Sequence, residues 1–128
     1  MNFTSSGSGK SRQPRYLVNP LSGMRISIPQ SHLRHHALAT LGYGGFGIYC
    51  SHRESKLLKL GEIDVVMAVG SSRVSVRGKV QYFKCLPQMR PDLYYVGIKL
   101  ETDADKRKDW RGLVDTALHK GYLAKPLV

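Results

Sequence analysis

Acidic residues are scarce in this sequence. Nine Asp and Glu stand against 20 Lys and Arg, a formal net charge of +11, with a sequence pI near 10.0. Such a surface attracts anions of every kind: nucleic acid, a phosphate-bearing small ligand, an anionic membrane or an acidic protein. Most of the acids gather in Glu101, Asp103, Asp105 and the segment after them. No paired carboxylates and no nucleophile with its base stand out, so an enzyme is not expected.

Cysteine is nearly absent. Cys50 and Cys85 each lie inside an apolar stretch, which suits reduced, half-buried thiols and excludes a disulfide framework. Long apolar runs are absent too: none approaches the ~20 residues of a membrane span, so no membrane insertion is expected. Met1-Asn2-Phe3-Thr4-Ser5-Ser6 has no charged segment followed by an apolar one. No signal peptide is therefore read, and the cytoplasm is the expected compartment. His32, His35 and His36 cluster, with His52 further on, but no carboxylate or cysteine completes a recognisable metal spacing. The run Gly42-Tyr43-Gly44-Gly45-Phe46-Gly47 lacks the Lys and Ser or Thr that follow a P-loop, and its spacing is not the dinucleotide fingerprint. It demands either unusual backbone angles or the close approach of another group.

What is present reads as one β-rich domain of 128 residues, 41% hydrophobic and 23% charged. Residues 1–13 are Ser, Gly and basic residues with almost no apolar material, read as a mobile basic arm. Strand signals follow at Tyr16 to Val18, Met24 to Ile28, weakly at 35–41, then Ile48 to Cys50, Ile63 to Val69, Arg73 to Lys84 and Leu93 to Leu100. In the Arg73 to Lys84 stretch, Val74, Val76, Val80 and Tyr82 share one face, opposite Arg73, Ser75, Arg77, Lys79 and Gln81. Gly78 is expected to mark a bend or bulge. Trp110, Leu113, Val114, Ala117 and Leu118 recur at helical spacing behind Asp103 and Asp105, predicting one amphipathic helix over roughly 103–119. Short strands in this number favour a closed or nearly closed antiparallel barrel with the helix over one opening.

This order resembles the PilZ domain family, bacterial receptors for cyclic di-GMP. The resemblance covers about residues 10–120 and is carried by Gly45-Phe46-Gly47-Ile48, by Val74-Ser75-Val76-Arg77-Gly78-Lys79-Val80 and by Tyr94-Tyr95-Val96-Gly97-Ile98-Lys99-Leu100. It implies a six-stranded antiparallel β-barrel with a C-terminal α-helix over residues 14–121, preceded by the arm of residues 1–13 and followed by a tail of residues 122–128. It also implies ligand contacts from two motifs, RxxxR before the barrel and [D/N]xSxxG at the end of an early strand. Laid on this chain, Ser11-Arg12-Gln13-Pro14-Arg15 keeps Arg15 and a basic Arg12 but has Ser11 in the first arginine's place, with Lys10 the nearby substitute. Thr40-Leu41-Gly42-Tyr43-Gly44-Gly45 keeps Gly45, while Thr40 stands for the acid or amide and Gly42 for the serine.

The resemblance thus implies Lys10, Arg12, Arg15, Thr40, Gly42 and Gly45 as ligand-binding residues for cyclic di-GMP, with no other cofactor. An arginine fork holds a phosphate or the acceptor edge of guanine through two parallel hydrogen bonds, a geometry that lysine lacks. Thr40 offers a hydroxyl in place of a paired acceptor, and Gly42 offers only backbone. Losing two or three contacts worth about 1–3 kcal/mol each weakens binding a hundredfold or more. The expected function is a stand-alone regulatory module that binds cyclic di-GMP and passes the signal to a protein partner. The alternative within the family is an adaptor that no longer binds the nucleotide and uses exposed Tyr43, Phe46 or Tyr95 for protein contacts. Arg73, Arg77, Lys79 and Lys84 beside Tyr82 and Phe83 present a further alternative, a small barrel binding single-stranded nucleic acid, though nucleic acid is the less favoured partner.

Overall fold

A computed structural model describes residues 15–29, 37–58, 61–89 and 91–124. The arm with Lys10, Ser11 and Arg12, the histidines His32, His35 and His36, and residues 125–128 lie outside the described residues.

Alternating apolar and polar residues produce the strands. They are β1 (Arg15–Val18), β2 (Arg25–Ser27), β3 (Ala37–Gly42), β4 (Gly45–Ser51), β5 (Glu62–Val69), β6 (Ser72–Cys85), β7 (Leu93–Leu100) and β8 (Leu123–Ala124). Two helices, α1 (His52–Leu57) and α2 (Ala104–His119), complete the described elements. All strand pairs are antiparallel. They form one sheet in the order β2-β5-β6-β7-β4-β3-β1-β8, curled into a half-barrel.

The expectation of six strands is corrected to eight. β8 falls in what was read as a tail, because the end of α2 redirects the chain. Gly121 adopts φ +76°, which costs a residue without Cβ little. Its N–H donates to the Leu118 carbonyl while Tyr122 N–H donates to Ala117, a Schellman closure of the helix. Asn19 N–H then bonds the Tyr122 carbonyl at 2.9 Å, and Leu123 pairs with Val18. Two residues make too short a pattern for period-two alternation to register.

α1 is the second addition. Ser51 accepts from Glu54 N–H at 3.2 Å and the Glu54 carboxylate accepts from Ser51 N–H at 2.7 Å, a full capping box. α2 runs as expected, with Asp103 capping Lys106 N–H at 2.8 Å and with Trp110, Leu113, Val114 and Ala117 buried. The inward strand residues, among them Leu41, Phe46, Ile48, Val65, Met67, Val96 and Ile98, join this face in one core. Trp110 is wholly buried, 5.7 Å from the Phe46 ring. Its indole N–H donates to the Gly42 carbonyl at 2.7 Å, the partner a buried indole requires.

Two further expectations are corrected. The bulge in β6 falls between Val80 and Tyr82, not at Gly78, which pairs regularly with Ile63 and Leu100. The extra residue, Gln81, reverses the alternation, so Tyr82 leaves the Val74, Val76, Val80 face and pairs opposite Gly97 on the outside. The cysteines are not alike: Cys50 is buried and Cys85 exposed, because Cys50 sits in mid-sheet and Cys85 ends the β6 extension. Of the two readings of the Gly42 to Gly47 cluster, the structure supports close approach: none of these glycines has positive φ, and other side chains lie over Gly45 and Gly47.

Candidate functional site

The outer face of β1, β3, β4, β7 and β6 carries the described motif residues Arg15, Thr40, Gly42 and Gly45. Register builds it in cross-strand rows. Arg15 stands opposite Gly42, Gly42 opposite Gly45, Gly45 opposite Lys99 and Lys99 opposite Lys79. The next row runs Leu17, Thr40, Gly47, Gly97 and Tyr82, and a third runs Ala37, Tyr49, Tyr95 and Lys84. The result is a floor of four glycines, with cations on one side and three tyrosines on the other.

The floor is low because glycine offers no side chain, and neighbouring side chains use the space. Arg15 lies across it, its Nη2 donating to the Ile98 carbonyl at 3.2 Å and reaching 2.8 Å from where a Gly45 Cβ would stand. The Tyr95 ring covers Gly47 and the Tyr82 ring covers Gly97, so a Cβ at either glycine would collide with an aromatic ring. Tyr95 hydroxyl and Thr40 Oγ1 share a hydrogen bond of 2.8 Å. Tyr95 also meets Tyr49 edge-on at 6.1 Å and Tyr82 at 6.0 Å, separations typical of favourable aromatic pairs.

Charge favours anions here. Among the described residues Arg15 has no carboxylate within ion-pair distance; the ion pairs present join Arg77 to Glu62 and Asp64. Lys99 and Lys79 are exposed. Arg15 and the tyrosines thus present planar groups beside unpaired positive charge, an arrangement able to stack on a base and hold a phosphate.

Of the sequence-derived site residues, Arg15, Thr40, Gly42 and Gly45 come together in this patch; Lys10 and Arg12 lie outside the described residues. Tyr95, Tyr82, Lys99, Gly47 and Gly97 also line it but were not among the expected ligand residues. The alternation of β7 already puts Tyr95, Gly97 and Lys99 on one face; only the pairing of β7 with β4 places that face beside Arg15.

Phe46, expected as an exposed adaptor residue, is buried in the core. Tyr43 is half-buried, its hydroxyl donating to Asp115 and its ring lying 4.8 Å from the Arg111 guanidinium. That hydrogen bond, before any loss of solvent, pushes the Tyr43 phenol above its ordinary value. His52 opens α1 and shares a 3.1 Å hydrogen bond with the Tyr94 hydroxyl through Nδ1. Among the described residues no cluster of His, Cys, Asp or Glu is placed to hold a metal, and no helix is long and apolar enough to cross a membrane. Comparison with protein families, with curated proteins and with solved structures finds no match.

Proposed function

We propose that this protein is a PilZ-type regulatory domain that binds cyclic di-GMP on the outer glycine floor and relays the signal to a protein partner. The observation that carries the reading is the row Arg15, Gly42, Gly45: the last arginine of one motif stands directly over the retained glycine of the other, without a carboxylate partner among the described residues. In this reading Arg15 swings from the Ile98 carbonyl onto a phosphate or guanine edge. Arg12 joins Arg15 over the dianion, against the Thr40 to Gly45 turn, as the arm orders. Tyr95 and Tyr82 supply ring faces for a guanine, whose stacking on an aromatic side chain is worth about 1–3 kcal/mol. The ordered arm forms the surface that the partner reads.

A second reading, an adaptor that no longer takes the nucleotide, draws on a specific observation. The Thr40 hydroxyl is engaged by Tyr95 and the Arg15 guanidinium by a backbone carbonyl, so both surviving polar side chains are satisfied without ligand.

Titration calorimetry with cyclic di-GMP at physiological salt separates the two. Saturable binding that Arg15→Ala removes, and that Ser11→Arg with Thr40→Asp and Gly42→Ser strengthens, is the expected result. Absence of heat in the native protein and in the rebuilt variant leaves the adaptor.

A further inference from the structure

We infer that the outer face of β2, β5 and β6 forms a second anion site, independent of the glycine floor, that takes the phosphate of a small organic phosphate monoester between Arg25 and Arg73. Arg25 pairs with Ala68 from one side and Arg73 pairs with the same Ala68 from the other, so the two arginines flank one small residue on one face. Two strand spacings put their Cα atoms roughly 10 Å apart. Each side chain spans more than half that distance, so both guanidinium groups can converge above the Ala68 methyl on a single phosphate.

The surroundings fit such a ligand. A cavity of about 440 Å³ opens there, within the range of about 300–1,000 Å³ usual for small-molecule sites. Ala68 forms its floor, Ser27 and Ser71 offer hydroxyls, and Tyr122 supplies an aromatic wall. Tyr122 leads into β8, and Arg25 belongs to β2, so the cavity is lined from next to both end strands of the curled sheet. Among the described residues no acidic side chain lines it.

The neighbouring row gives the contrast. Arg77, four residues beyond Arg73 on β6, meets Glu62 at 3.7 Å and Asp64 at 3.4 Å. Neither Arg25 nor Arg73 has an ion-pair partner among the described residues. Two unpaired arginines held side by side repel each other, and a dianion between them turns that repulsion into paired, charge-assisted hydrogen bonds. The organic body would rest on the floor against Tyr122.

The test is a titration of the full chain with phenyl phosphate, followed through backbone amide shifts, with phenol as the uncharged control. Saturable shifts are expected in residues 22–27 and 70–73 with phenyl phosphate and not with phenol. Affinity should fall at least about tenfold in Arg73→Gln and in Arg25→Gln, the loss of one charge-assisted pair, and should be unchanged in Arg15→Ala. That last arm keeps this site distinct from the cyclic di-GMP reading. Shifts that never saturate, that scatter over the whole cationic surface, or that survive in both glutamine variants would overturn the site.

Discussion

Cys50 and Cys85 share a side chain and differ in every consequence of position. Burial, with a smaller push from the Glu54 carboxylate, raises the Cys50 thiol to about 12, so it stays protonated and shielded at neutral pH. Cys85 is exposed. Iodoacetamide at neutral pH should therefore label Cys85 first and Cys50 only on unfolding, which peptide mapping by mass spectrometry checks. The linkage has a definite sign. An acid whose folded pKa lies above its unfolded value of about 9.0 keeps its proton longer when folded, so its contribution is full below pH 9 and is lost as pH climbs toward 12. Thermal melts between pH 8 and 10.5 should show a falling midpoint, and Cys50→Ala should flatten that fall. The two thiols were not separable in the sequence, since both sit among apolar neighbours. The same holds at the candidate site: Arg15 and Gly45 were legible because two short motifs name them, whereas Tyr95 and Tyr82 became site residues only by lying over glycines of other strands.

At the scale of elements, α1 shows a local signal that a neighbouring one concealed. Ser51-His52-Arg53-Glu54 is a capping-box sequence, but it continues straight out of β4, and the strand reading of Ile48 to Cys50 assigns it no element. Six residues cannot sustain a helix by propensity alone, so the cap has a large share in its stability. Ser51→Ala should cost about 1 kcal/mol, seen as a lower urea midpoint with an unchanged slope. Glu54→Gln, which keeps an acceptor for the Ser51 N–H, should cost less. The long strands were legible because period-two alternation runs through Arg73 to Val80 of β6 and through β7, while β5 is an apolar run rich in branched residues. The Gln81 bulge was not, because a bulge adds a residue without changing the kind of residue used; it shows itself as a change of partner register.

Across the whole molecule, the +11 charge acts as self-repulsion that folding concentrates and salt screens. Raising sodium chloride from low to near-physiological concentration should lift the melting temperature by about 2 °C, on the order of half a kcal/mol. Differential scanning fluorimetry across a salt series checks this, and a midpoint that falls with salt would mean that favourable ion pairs outweigh the repulsion. The sheet's incomplete closure belongs to this scale as well. Among the described residues β2 and β8 end the sheet, and the cavity with Arg25 and Arg73 is lined both from β2 and by Tyr122, the residue before β8.

By itself the sequence determined a basic, β-rich chain with one amphipathic helix, because two-residue and 3.6-residue periodicities are local properties of a chain choosing which face to bury. The family resemblance it carries implied Lys10, Arg12, Arg15, Thr40, Gly42 and Gly45 as a set. What only the tertiary structure decided was adjacency: that Arg15 lies over Gly45, that Tyr95 and Tyr82 roof Gly47 and Gly97, and that Arg25 and Arg73 flank the same alanine. Such pairings are fixed by strand order and register, which depend on contacts between residues distant in the chain and leave no local trace.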